Sequence, residues 1–150
     1  MNTQMNDRKA IQDLFHRMAQ AWDAGDGAAY GACFTADADY VTFSGGHLKG
    51  RQAIDSVHQK LWDGVLRGSK LIYGDRDTSL RFISPELAIA HATGVVQLRF
   101  HRTPPKARQS INTNVLVKID GEWQVAAFHN CRITRPNWIQ RWMMRSKHKA

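Results

Sequence analysis

The chain is poor in cysteine, in long apolar runs and, over two stretches, in acid. Its 150 residues hold two cysteines, Cys33 and Cys131, and neither sits in a CxxC, so no disulfide framework is expected. No uninterrupted apolar run approaches the roughly 20 residues of a membrane helix. The opening Met-Asn-Thr-Gln-Met-Asn-Asp-Arg-Lys has no apolar core, so no secretory signal is expected and a cytoplasmic, reduced protein is the reading. No two histidines stand at i, i+4 and no cysteine–histidine cluster occurs, which argues against a metal site. No GxGxxG follows a strand-like run, so no dinucleotide fingerprint is present and no cofactor is expected.

Acid is missing where base is plentiful. The formal net charge is +8, and the segment after Cys131 carries Arg132, Arg135, Arg141, Arg145, Lys147 and Lys149 with no Asp or Glu. That leaves fifteen basic against thirteen acidic side chains before it, about +2. A second acid-free stretch, 87–119, carries Arg99, Arg102, Lys106, Arg108 and Lys118. The basicity is a tail plus a loop, with no recognition module beside it, and nucleic acid is not an expected partner.

What is present divides into a helical first half and a β second half. Ile11, Leu14, Phe15, Met18, Ala21 and Trp22 make a helical stripe, with Asn6 or Asp7 as N-cap and Gly25 as stop. Asp26 can cap a second short helix running through Tyr30 to Phe34. A strand is predicted over Asp39–Phe43, closed by Ser44-Gly45-Gly46. A third helix follows Gly50, with Ile54, Val57, His58, Leu61, Trp62, Val65 and Leu66 on one face and Gly68 at its end. Strands are then predicted over 71–83, irregular at Gly74-Asp75, and over 87–100, joined by Ser84-Pro85-Glu86; Thr103–Lys106 reads as an exposed loop. The strongest local signal is Asp120-Gly121 between Ile111–Ile119 and Glu122–Arg132, a hairpin whose type I′ turn needs positive φ at both central residues. Without βαβ alternation the class is α+β. Residues 136–150 form a basic tail after a domain of 1–135. Within that tail, Pro136 suits a first helical turn, and Trp138, Trp142 and Arg145 share one side of a short amphipathic helix. Its expected place is against the domain or a partner subunit, with a membrane surface as the alternative.

Several strings then carry a family resemblance. Trp22-Asp23-Ala24-Gly25-Asp26, Phe34-Thr35-Ala36-Asp37-Ala38, Gly50-Arg51-x-Ala53-Ile54 and Gly121-x-Trp123-x-Val125-Ala126-Ala127-Phe128-His129-Asn130 occur in the order seen in nuclear transport factor 2-like, SnoaL-like proteins. The last string, preceded by Leu87–Gly94, is similar to the SgcJ/EcaC subgroup. The resemblance implies a cone-shaped, curved antiparallel sheet wrapped around three N-terminal helices (a cystatin-like roll), with an apolar cavity and a homodimer formed through the outer sheet face. It implies isomerases, dehydratases, polyketide cyclases or silent binding domains, so fold does not settle function. An ungapped match to the ketosteroid isomerases of this superfamily puts their catalytic aspartate at Thr42 and their oxyanion tyrosine at Met18. Neither replacement can serve, because threonine is no carboxylate base and methionine donates no hydrogen bond.

The candidates for chemistry follow. His58, on the apolar stripe of the third helix, should point inward as a general base, or else be a core histidine satisfied by a backbone carbonyl. His129 and Asn130 are strand neighbours facing opposite sides. Alternation leaves open which faces in, because Val125/Ala127 and Ala126/Phe128 are both apolar. Tyr40 and Thr42 share a strand face and could hold a ligand's oxygens, or be locally capped core residues. Asn112 and Asn114 are unusual in mid-sheet. Met18, Trp22 and Trp62 read as core, some of it lining the cavity; His91 reads as structural. The expected function is binding of a small apolar or aromatic, polyketide-like ligand, with cofactor-independent isomerase, cyclase or hydrolase chemistry by His58 or His129. The alternatives are a non-catalytic binding or accessory dimerisation module, and an assembly protein whose basic tail recruits an acidic partner.

Overall fold

In the computed structural model, which describes residues 2–73 and 79–146, four α-helices and seven strands follow the expected division. Helix α1 (Asn2–Ala24) is followed by α2 (Gly27–Gly31), β1 (Phe34–Val41), β2 (His47–Lys49) and α3 (Arg51–Asp63). Then come β3 (Lys70–Tyr73), β4 (Ser79–Ser84), β5 (Leu87–Gln97), β6 (Gln109–Ile119), β7 (Glu122–Arg132) and α4 (Trp138–Ser146). The irregularity read at Gly74-Asp75 and the tail beyond Ser146 lie outside the described residues.

One curved, unclosed sheet runs β2-β1-β7-β6-β5-β3, with β4 also paired to β5. Its neighbours are antiparallel except β1 and β7, which run parallel. The inner face packs on α1, α2 and α3 around Ile11, Leu14, Met18, Tyr30, Phe34, Ile54, Leu116 and Val125. Along β5 that face is nearly flat, because its buried positions are Ala88, Ala90, Ala92 and Gly94. Small side chains there leave depth for the larger groups of β6 and β7.

The local signals act as physics requires. Asp120 and Gly121 sit at φ 51° and 83°, the type I′ pair that lets β7 fold straight back on β6. Gly25 takes φ 65° after α1, and the Asp26 N–H reaches the Ala21 carbonyl at 3.0 Å while the Gly25 N–H reaches Trp22 at 2.9 Å. This double bond pattern is a Schellman cap. The Asp26 carboxylate then accepts the Ala29 N–H at 2.9 Å and starts α2.

Several boundaries differ from expectation, and β5 stops at Gln97 rather than 100. Helix α1 begins at Asn2, so Asp7 is no N-cap; it lies on the buried stripe one turn before Ile11, and its carboxylate accepts Lys118 Nζ (2.7 Å) and Trp123 Nε1 (2.9 Å). Helix α2 stops at Gly31, and β1 begins at Phe34, where pairing with β7 overrides the weak strand propensity of Ala36 and Asp37. Helix α3 ends at Asp63, five residues before Gly68, leaving Val65 exposed. In the tail Pro136 precedes the helix, which Asn137 caps: the Gln140 N–H donates to Asn137 Oδ1 at 2.9 Å, and the Asn137 N–H to Gln140 Oε1 at 3.0 Å.

Candidate functional site

Helix α3 turns Ile54, His58 and Trp62 toward the sheet at i, i+4 and i+8. His58 is 3 % exposed and ringed by aromatics. Centroid distances run to Tyr30 (4.7 Å), Tyr40 (5.0 Å), Trp62 (5.5 Å) and Trp22 (5.9 Å). Its Nδ1 lies 2.7 Å from the Ile54 carbonyl. A carbonyl only accepts, so Nδ1 carries the hydrogen and Nε2 keeps the lone pair. That lone pair faces the Tyr40 hydroxyl at 3.3 Å. Burial holds the imidazole pKa below its ordinary value, opposed by the Ile54 bond, so His58 is neutral at neutral pH. Burial likewise pushes the Tyr40 phenol up to about 12, with a hydrogen bond from Tyr30 acting the other way. The pair is a neutral base against a neutral phenol.

Three asparagines complete the polar part of the inner face. Tyr40, Phe128 and Asn114 sit on one rung of β1, β7 and β6, and Asn130 pairs with Asn112 on the next inward rung. Strand spacing puts the Tyr40 and Asn114 backbones about 10 Å apart, with the Phe128 ring stacked on Tyr40 at 4.5 Å. Asn114 Nδ2 donates to Asn112 Oδ1 at 2.6 Å. The Oδ1 atoms of Asn114 and Asn130 are buried without a hydrogen-bond partner among the described residues, as is Trp62 Nε1. Buried acceptors are nearly always satisfied, so two orphaned amide oxygens on one face mark a place that can take a donor from outside the protein.

Which of His129 and Asn130 faces in is decided by a bulge. Val115 pairs Ala127 while Leu116 pairs Val125, so Ala126 is an extra residue in β7. The bulge shifts the alternation by one: Trp123 and Val125 face in, then Phe128 and Asn130. His129 is exposed on the outer face, on one rung with Thr113 and His91, and does not meet His58. Thr42 is also apart from the site. It lies beyond β1 in the turn to β2, its Oγ1 accepting the Gly46 N–H at 2.9 Å. Met18, Trp22 and Trp62 are buried beneath the site, and Trp22 Nε1 donates to Ser69 Oγ at 3.0 Å.

The structure thus brings together His58, Tyr40, Trp22, Trp62 and Met18 on one side and Asn112, Asn114 and Asn130 on the other, and it leaves out His129 and Thr42. Sequence reasoning missed Tyr30 and Phe128 as neighbours of the site. The one available signal was that all hydroxyl-bearing aromatics are Tyr30, Tyr40 and Tyr73, and burial pushes each of their phenols up. Two clefts lie away from His58 and the three asparagines, one of about 360 Å³ between Tyr73, Thr93, Pro105, Gln109 and Arg135, another of about 710 Å³ between Arg135 and Met143. Among the described residues, no group of three or more His, Cys, Asp or Glu side chains is arranged to hold a metal ion.

A curved sheet folded over three helices, with its polar groups on the concave face, defines a cystatin-like fold, and solved structures share it. One is a domain of unknown function from Nostoc punctiforme, 29 % identical, TM-score 0.80, covering 97 % of this chain and 87 % of its own. Another is a nuclear transport factor 2-like protein from Novosphingobium aromaticivorans, 21 % identical, TM-score 0.73, covering 93 % and 90 %. A third, from the same organism and carrying the provisional name scytalone dehydratase, is 17 % identical, TM-score 0.73, covering 89 % and 88 %. No curated protein matches the sequence. The SnoaL-like domain family matches residues 3–129, and the chain belongs to that family, within the nuclear transport factor 2-like superfamily.

Proposed function

We propose that the inner face between α3 and strands β1, β7 and β6 binds a small, largely apolar aromatic ligand that carries a hydrogen-bond donor. The orphaned oxygens of Asn114 and Asn130 carry this reading, since each can accept one O–H or N–H of a ligand. The chemistry that fits is cofactor-independent acid–base catalysis. His58 Nε2 is the base, and Tyr40, hydrogen-bonded to it, is the polar anchor for a ligand oxygen. Dehydrations, isomerisations and aldol-type ring closures that pass through an enolate begin with loss of a proton beside a carbonyl, and a neutral imidazole is matched to that step. The dehydratase name of one structural neighbour agrees with this class without reaching this chain's substrate. A second reading, binding without turnover, is favoured by one observation: both His58 nitrogens are already engaged and the residue is almost fully enclosed.

The domain is proposed to span 1–135 and to act in the cytoplasm as a homodimer through the outer sheet face. Exposed Ile111 and Ile119 and the half-buried Val115 and Val117 support that face. Membership of the SgcJ/EcaC subgroup rests on the strings quoted above. Native against denaturing mass spectra of the purified chain test the site. The expected result is a small-molecule adduct lost on denaturation and absent from His58→Ala and Asn130→Val. If the wild-type spectrum is clean, and no phenol or aromatic ketone in a panel raises its melting temperature, the ligand-binding reading fails.

A further inference from the structure

We propose that α4, together with the basic loop beside it, is an in-plane anchor for an anionic phospholipid surface. The core is complete without this helix, since none of its residues belongs to the buried cluster. Trp138 and Trp142 are 75 % and 68 % exposed, and Ile139, Met143 and Met144 are exposed with them. At 100° per residue, Trp138, Trp142, Ile139 and Met143 fall within an arc of about 140°, Arg145 and Arg141 border its Trp138 edge, and Met144 falls on the opposite face. The helix starts by its own Asn137–Gln140 capping box rather than by packing. Its nine residues make about 14 Å, too short to cross a bilayer and suited to lying in its surface.

Charge selects the occupant. No acid follows Glu122, and the stretch carries Arg132, Arg135, Arg141, Arg145, Lys147 and Lys149. The second acid-free stretch is brought alongside: Pro104, Pro105 and Lys106 line one cleft with Arg135, and Arg132 Nη1 reaches the Ala107 carbonyl at 3.4 Å. That loop adds Arg99 and Arg102 and presents Phe100, 71 % exposed. Tryptophans beside arginines, with a second basic stretch whose Pro104–Ala107 part lies against Arg132 and Arg135, match the headgroup layer of an anionic leaflet, where indoles sit at the interface and cations meet phosphate.

The test is flotation of the full chain with vesicles of phosphatidylcholine alone and with about one-third phosphatidylglycerol, at low and high salt. Binding to the anionic vesicles should exceed that to neutral ones by at least ~10-fold and weaken with salt. It should fall ~10-fold or more in both W138A/W142A and R141Q/R145Q, while circular dichroism shows the folded body unchanged. Failure of the wild type to float with anionic vesicles overturns the proposal. So does flotation that W138A/W142A leaves intact, because charge alone would then be at work. Two further outcomes reassign the surface. Loss of a native dimer mass in W138A/W142A without vesicle binding gives it to a second copy, and capture by duplex DNA without vesicle binding gives it to a polyanion.

Discussion

Two polar clusters lie on the inner face of the same sheet, toward opposite ends of the β6–β7 hairpin, and they differ in how fully they are paired. Near the turn, Asp7 of α1 accepts both Lys118 and Trp123, so a carboxylate, an ammonium and an indole satisfy one another. Toward the other end, Asn112 and Asn114 pair once and leave the Asn114 and Asn130 oxygens unmatched, with the Phe128 strand between Asn114 and Tyr40. A closed network pins a helix to a hairpin. An open one costs stability in the free protein and gains its partner only when something enters.

Breaking the closed cluster should give the largest effect. Asp7→Ala leaves a half-buried ammonium and a buried indole N–H without their acceptor, and should lower unfolding free energy by about 2 kcal/mol, read by urea denaturation. Ligand adducts should be unchanged. A loss under about 0.5 kcal/mol would mean that the pin contributes little.

Acid should separate the two clusters by pH window. The His58 pKa is depressed by burial from 6.5, so the unfolded chain binds the extra proton first. Stability should therefore fall as pH drops below about 6.5, by at most about 1.4 kcal/mol per pH unit. The Asp7 pKa is depressed from 3.8, chiefly by the Lys118 and Trp123 hydrogen bonds, so its contribution is lost only as pH falls below that range. Melting temperatures from pH 8 to about 2 should show two separate descents, and His58→Asn should erase the first alone.

The smallest change belongs to the open cluster. Asn130→Val removes an unmatched oxygen and installs a good strand former, so stability should stay within about 0.5 kcal/mol or rise. The same variant should lose the adduct in native mass spectra. A drop of about 2 kcal/mol instead would show that Asn130 is a structural residue after all.

Much of the fold was legible because its signals are local. Asp120-Gly121 encodes a turn through positive φ at two adjacent residues, Gly25 a helix end, and Asp26 a helix start. The spacing of Ile54, His58 and Trp62 places His58 inward by helical period alone. Asp7 read as a cap for the same reason: nothing within a few residues reveals that Lys118 and Trp123 will arrive beside it. Thr42 read as strand because its bond to Gly46 competes with the ladder over only four residues.

The α+β class, the SnoaL-like family strings, the inward histidine and the basic tail are each carried by short-range pattern. That Asn130 faces in while His129 faces out follows from strand pairing alone. One extra residue, Ala126, is accommodated where β7 pairs with β6, and that single bulge reverses every later side chain of the strand. The facing of a strand end is a property of its register with partners, and register is settled by contacts between strands rather than by the strand's own residues.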